Sequence, residues 1–322
     1  MNYNHKFNKE RLSLSIILKD KKAFNRLKLY IKTELSCMLN VVEEGSFSRQ
    51  EIELFIHQNE TAGGKSFHDY LLLFQLNETL DFVFENYKKV VIDSFFMKKI
   101  HQMIFDRIEG EAGQYRKSKE QYPNLKLKTI IPSAIMAEMK ALDLLIQKKD
   151  TNALANIFEI YNKFLTIAPF KRGNFYVAFI LLSVLLLKNG YCPLLLRTID
   201  KKRFFEVLEI YQSKGRIDTY HMFMNQALKR SFQMMLNNPV EIAEKDELLT
   251  ISKFAEICKV PVSTIRYWMK EGQIKPAVFT SAGYALFSKE QRIDLQETKL
   301  NKMITKCMNT LKKGVEKSIN QV

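Results

Sequence analysis

Residues 165–196 read LTIAPFKRGNFYVAFILLSVLLLKNGYCPLLL. A short loop, Ala168 to Asn174, leads into an apolar run from Phe175 to Leu187 that is broken only by Ser183. The run is 13 residues long, whereas a bilayer-spanning helix needs about 20. A helix that is apolar on every side belongs at the centre of a sizeable domain. Lys188 suits the negative end of its dipole, and Asn189-Gly190 suits a left-handed C-cap. The loop therefore feeds the N-terminus of a buried helix, where unpaired N–H groups favour an anion. Gly173 and Asn174 are the candidate backbone donors, with Lys171 and Arg172 beside them. The plainer alternative is that both cations are simply solvated.

The rest of the chain frames this element. A length of 322 residues allows two or three domains, and 46% hydrophobic residues with 23 Phe supply real cores. A net charge of +15 suits a polyanion, either nucleic acid or a membrane surface, unless the lysines only solvate the exterior. Cys37, Cys192, Cys258 and Cys307 lie far apart with no C-x-x-C pair. They read as reduced thiols, not disulfides or zinc ligands, and no metal site is expected. The only apolar piece near the N-terminus is Leu14–Leu18, too short for a signal peptide core. A cytoplasmic protein with no membrane partner is expected.

In chain order, helical spacing recurs over Ala23–Leu39, Phe67–Tyr87 with Ser66 as cap, Asp93–Ile108, and Ser133–Lys148 with Ser133 as cap, and Asn152–Leu165 leads into the central loop. His101, alone on its helix, reads as a packed or surface residue without chemistry. Leu125-Lys126-Leu127-Lys128-Thr129-Ile130 alternates at period two, a strand signal. Arg203–Leu236 reads as the closing helical segment. Asn237-Asn238-Pro239 marks a linker.

Beyond the linker the pattern changes. Thr250 caps a short amphipathic helix, Val260-Pro261 makes a tight turn, and Val262–Lys270 forms a second helix that Gly272 ends. Val262, Ile265 and Trp268 or Met269 point inward, which leaves Ser263, Thr264, Arg266 and Tyr267 outward. Two extended stretches, Ala277–Thr280 and Tyr284–Phe287, flank Ser281-Ala282-Gly283 as a hairpin. This is a winged helix-turn-helix. Lys259, Lys270 and Lys275 suit phosphates around it. Residues 245–322 carry 14 Lys/Arg against 8 Asp/Glu, a net of +6. The last stretch, Ser288–Ile319, reads as one long helix with an apolar stripe near heptad spacing. It would pair two chains or pack back on its own.

The central stretch resembles the core of a Fic (Fido) domain, the fold of protein adenylyltransferases. It keeps Pro169, Phe170, Gly173 and Asn174 of that family's loop and the exit Gly190-Tyr191-Cys192-Pro193. The likeness extends upstream through Ala112-Gly113-Gln114-Tyr115-Arg116 and Ile131-Pro132, and covers residues ~40–235. The resemblance places the family's catalytic histidine at Ala168, its magnesium-holding acid at Arg172, a glycine at Phe175, and its two phosphate-gripping arginines at Tyr176 and Phe179. It also implies an inhibitory-helix motif at Asn40, Glu44 and Gly45, and a hairpin flap at 122–131 that clamps a protein segment. The motif glutamate would pair with the second arginine, which is Phe179 here, so that pair cannot form.

The C-terminal segment resembles the head of MerR-type regulators. Thr264-Ile265-Arg266-Tyr267-Trp268 matches their recognition helix, and Gly283-Tyr284-Ala285-Leu286-Phe287 matches their wing, with Ala285 in place of a phosphate-binding arginine.

The expected architecture is mainly α. A helical region at 1–94 precedes a Fic core at 95–236 with a small β-hairpin flap. A winged helix-turn-helix at 245–290 and a C-terminal helix at 291–322 follow. The expected function is a DNA-binding regulator whose Fic domain no longer catalyses, with no cofactor and with Phe175, Tyr176 and Phe179 filling the phosphate space. The alternative is an adenylyltransferase using ATP and Mg2+ through an unusual site. DNA is the expected partner, with a homodimer through the C-terminal helix as a further possibility.

Overall fold

The computed structural model describes residues 7–119, 122, 125–148, 153–237, 249–279, 284–288 and 291. Two compact units divide the chain, residues 1–58 with 65–240 and residues 59–64 with 241–322.

The first unit is helical. Its elements are α1 (Asn8–Ile17), α2 (Lys21–Val42), α3 (Arg49–Gln58), α4 (Phe67–Asn86), α5 (Ser94–Phe105), α6 (Ile135–Gln147), α7 (Ala153–Ile167), α8 (Asn174–Lys188), α9 (Lys201–Lys214) and α10 (Ile217–Asn237). The decisive apolar run is α8, and every residue from Asn174 to Leu187 is buried. Helices α2, α4, α5 and α7 pack around it. Apolar burial stabilises at roughly 25 cal/mol per Å2, so a helix buried on every side is a large contributor to the unit's core. Its exit is the expected C-cap: Gly190 sits at φ 76°, and Tyr191 N–H donates to Leu186 O at 2.9 Å. Arg11 of α1 adds a donor from Nη2 to Asn189 O at 3.0 Å, while its guanidinium lies over the Tyr191 ring.

Local caps explain most helix starts. Ser66 and Asp69 form a reciprocal capping box on α4, as expected for Ser66. Asp20 caps α2 and Asp93 caps α5 through Ala23 N and Phe96 N. Ser133 does not cap α6. Pro132 starts a 3-10 turn over Pro132–Ala134, and the helix begins only at Ile135. The closing segment is two helices, broken where Gly215 takes φ 62°.

The alternating stretch at 125–130 does not pair as a strand. Its pattern holds in burial, since Leu127 is buried while Lys126 and Lys128 are exposed. Its backbone donors, however, go to side chains of α9: Lys126 N to Glu209 Oε1 and Lys128 N to Gln212 Oε1, both at 3.0 Å. Ile130 N donates to Thr166 O at 3.2 Å. Among the described residues, 125–131 run as an extended segment and not as the hairpin expected of a flap at 122–131.

The second unit holds β1 (Leu249–Thr250), α11 (Ile251–Cys258), α12 (Val262–Lys270), β2 (Val278–Phe279) and β3 (Ala285–Phe287). The sheet order is β1-β3-β2, both pairs antiparallel, with Leu249 opposite Phe287 and Val278 opposite Leu286. Leu249, Phe254, Ala255, Ile265, Ile274 and Phe287 form the small core, in which Phe254 stacks on Phe287 at 4.6 Å. The expected linker at 238–239, the wing turn at 281–283 and the C-terminal helix from 292 onward lie outside the described residues. No helix among the described residues is long and apolar enough to cross a membrane.

Candidate functional site: the loop heading the central helix and the outer face of the second short helix

The loop Ala168–Gly173 is held by its shape-giving residues. Gly173 lies at φ 74°, and a Cβ there would meet the Phe105 ring at 2.2 Å. Both the backbone and the space therefore require glycine. Asn174 spends its side chain on the loop, accepting from Phe170 N at 3.0 Å and donating to Phe170 O at 2.8 Å. Ala168 takes the left-handed conformation at φ 44°, uncommon for a residue with a Cβ.

Two residues upstream lock this arrangement. Arg116, buried, donates from Nε to Ala168 O at 2.7 Å, and from Nη2 to Ile130 O at 2.6 Å and Ile167 O at 3.3 Å. It caps the C-terminus of α7 and ties the flap to it, as a cation at the negative end of a dipole should. His101 stacks on Phe170 at 4.0 Å and on Phe105 at 4.8 Å. Its Nδ1 accepts from Gly113 N at 2.8 Å, so Nε2 carries the proton and donates to Arg172 O at 3.1 Å. Burial pushes its pKa down to about 4. It is a neutral clip for the loop, and of the packed and surface alternatives the packed one holds.

The active-site positions implied by the resemblance carry other groups. Ala168 is buried with no proton acceptor on its side chain. Arg172 forms an ion pair with Glu109 at 2.9 Å. Tyr176 packs edge-on to Phe105, and Phe179 packs against Tyr161 and Phe204. Tyr176 and Phe179 are withdrawn into the core, and of the three aromatics expected to fill the phosphate space only Phe175 lines the cavity that remains. That cavity measures about 500 Å3 and is lined by Val42, Leu125, Ala168, Phe175 and Phe205, with Glu43, Glu44, Lys171, Arg172 and Lys201 as its charged residues.

The positions that the resemblance gives to an inhibitory motif do other work here. Asn40 lies inside α2, and its side chain clasps the next turn by donating to Phe47 O at 2.8 Å and accepting from Phe47 N at 3.2 Å. A Cβ at Gly45 would strike Asn40 Oδ1 at 2.2 Å. Glu44 takes φ 56° and turns outward to Lys201 at 3.3 Å. Glu43 and Glu44 both line the cavity, and of the two it is Glu43 whose carboxylate has a buried oxygen. The Phe175 N–H faces it and favours its ionised form, but burial dominates and pushes its pKa up to about 7. The first turn of α8 thus directs the Phe175 N–H at a carboxylate of the same chain.

In the second unit the helix-turn-helix geometry falls where the sequence places it. Thr250 caps α11 by accepting from Lys253 N. On α12, Ile265 is fully buried, Trp268 and Met269 are half-buried, and Thr264 is half-buried as well. Ser263, Arg266, Tyr267 and Lys270 are exposed on the outer face. Lys259 and Lys275 are also exposed. Lys259 forms the left-handed C-cap of α11 at φ 54°.

The Fic/DOC family model matches residues 91–186, and the MerR family regulatory protein model matches residues 250–287. Among solved structures the chain resembles a Fic domain containing signaling protein from Bacteroides thetaiotaomicron (TM-score 0.60, 16% identity, 71% of this chain and 97% of that one). It also resembles Fic-1 from C. elegans (TM-score 0.63, 15% identity, 73% and 70%). A Fic family protein from Desulfovibrio desulfuricans is similar over 84% of this chain and 90% of its own (TM-score 0.56, 14% identity). No curated protein matches the chain. The first unit shares the fold of these structures and the second carries the regulator's head: this is a Fic-domain protein with a C-terminal MerR-type helix-turn-helix domain.

Proposed function

We propose that the chain is a cytoplasmic DNA-binding transcriptional regulator whose Fic domain transfers no nucleotide and serves as a partner-binding or sensing module. The observation that carries this reading is the division of α12: Ile265 is buried, while Ser263, Arg266, Tyr267 and Lys270 stand exposed on one face. A major groove accepts one helix, and an arginine at its centre reaches a guanine edge or a phosphate. Lys259 and Lys275 supply phosphate contacts on either side. Pairing through residues 291–322 would make the operator an inverted repeat.

Against an adenylyltransferase stand the residues at the reacting positions. The ATP and Mg2+ implied by the resemblance do not fit them. The Arg172 guanidinium, paired with Glu109, repels a divalent cation where an acid is needed. Tyr176 and Phe179 bring no charge to neutralise phosphates and lie inside the core. Nucleotidyl transfer rests on positioning and charge neutralisation, and losing these together removes most of the catalysis. The test is selection of genomic fragments by the purified chain. Reproducible enrichment of a short promoter motif supports the reading, and recovery of fragments at random contradicts it.

A further inference from the structure

The lining of the cavity beside the loop has a composition that the reading above leaves unused. Its volume of about 500 Å3 is that of a small-molecule site. Val42, Leu125, Phe175 and Phe205 give it an apolar surface, and the Tyr122 and Phe205 rings lie 5.0 and 5.6 Å from the Phe175 ring. Three cations, Lys171, Arg172 and Lys201, line the same space. Two of them are balanced, Arg172 by Glu109 at 2.9 Å and Lys201 by Glu44 at 3.3 Å. Lys171 is exposed and forms no ion pair among the described residues. The remaining acid, Glu43, has a buried oxygen, and burial pushes its pKa up to about 7, so below neutral pH it is mostly uncharged. Three cations less the two acids that pair with them leave one positive charge beside an aromatic surface.

We infer that this cavity binds an aromatic monocarboxylate, its ring against the Val42, Leu125, Phe175 and Phe205 side chains and its charge drawn to the excess cation. The inference rests on the reading of the Fic domain as a sensing module. A ring buries apolar surface and meets the lining rings edge-on or offset, the arrangements aromatic pairs favour. A single carboxylate balances the single excess charge, and a cleft of one net sign in an apolar setting concentrates the opposite ion. A nucleoside triphosphate has a ring as well, but it brings more negative charge than this lining offsets.

The charge count also sets the pH dependence. Glu43 faces Arg172, Lys201 and the hydroxyls of Tyr122 and Tyr176, with Lys171 and Glu44 also lining the cavity. Above about 7 Glu43 ionises and cancels the excess positive charge. An anion therefore favours its protonated form, and binding strengthens as pH falls through about 7.

The test is calorimetry on the full chain without DNA, with naphthalene-2-acetate, 4-phenylbutyrate and indole-3-propionate as separate probes at up to about 10 mM. At least one should bind with a Kd below about 1 mM near pH 6 and weaken about threefold near pH 8. Its primary amide, which keeps the ring and lacks the charge, should bind at least about tenfold more weakly. Lys171→Glu, a change on an exposed side chain, should weaken the acid by about tenfold, with a thermal melt confirming that the variant folds. Glu43→Gln should bind the acid equally well at both pH values. The inference is overturned if none of the three probes binds, if the amide binds as tightly as the acid, if Lys171→Glu leaves the affinity unchanged, or if ATP binds more tightly than the best probe. The amide comparison uses the parent chain alone and needs neither variant to fold. DNA plays no part in this assay, so its failure would leave the DNA reading intact, and random recovery of genomic fragments would leave this binding intact.

Discussion

Arg116 Nε donates to Ala168 O at 2.7 Å across a sequence separation of 52 residues. The same guanidinium holds Ile130 O and Ile167 O, so one buried cation sets the end of α7, the flap and the start of the loop. Arg116→Ala would leave these carbonyls without a donor in a buried setting. At ~1–3 kcal/mol for each unsatisfied buried group, partly relieved by relaxation, the variant should lose roughly 3–5 kcal/mol. Urea denaturation of the two proteins checks this. Arg116→Lys should recover only a small part, because a point donor cannot span the separate carbonyls.

Gly173 is required by both its backbone and its surroundings. Gly173→Ala should cost about 2–4 kcal/mol from positive φ and from the clash with Phe105. The double variant with Phe105→Ala should relieve the clash yet keep the backbone cost and open a cavity, so it should not return to parent stability. Thermal melts of the three variants measure this.

Glu43 and His101 pull stability in opposite directions with pH. Glu43 has a folded pKa raised from 4.5 to about 7, so its folded form holds the extra proton and stability falls as pH rises between those values. His101 has its pKa lowered from 6.5 to about 4, so stability falls as pH drops through that window. Glu43→Gln should remove the first slope alone and leave the variant more stable than the parent near pH 8, by about 1–3 kcal/mol. Denaturation at pH values from about 5 to about 8 isolates the difference. The His101 ring should titrate near 4 by NMR, as the Nε2–H tautomer.

Restoring one catalytic group should not restore chemistry. Ala168→His places a base at the family's position, but Arg172, Tyr176 and Phe179 still deny metal and phosphate sites. The expected result is no labelled-ATP transfer to the chain or to added protein above background for either protein.

Much of this structure was legible in the residues, for physical reasons that differ by element. The run 175–187 is apolar on all sides, and only the centre of a domain can accommodate such a helix, so α8 could be read directly. Ser66 and Thr250 announce their caps because each precedes an amphipathic segment by one residue. The helix-turn-helix was legible because Ile265 alternates with polar neighbours at helical spacing. The Glu43 carboxylate was not legible, since which of two adjacent glutamates turns inward depends on α2 running on to Val42 and on the left-handed turn at Glu44. The flap misled because alternation records burial, which holds, and says nothing of who accepts the backbone donors. Side chains of α9, some 80 residues away, take that role. Arg116 looked like a motif residue, and only the fold reveals the carbonyls around it.

Arg266 stands at the centre of the exposed face of α12. The measurement that reaches it most directly is fluorescence anisotropy of the full chain on its selected DNA site and on scrambled DNA, across graded salt, for the parent and Arg266→Ala. Binding by the parent chain should be tight and salt-dependent and should prefer the selected site. If Arg266 reads a base, the variant should lose about 1–3 kcal/mol and its specificity; if it holds a phosphate, the loss should be uniform and the salt slope smaller by about one. Equal binding by parent and variant, at every salt concentration and on both DNAs, would contradict it.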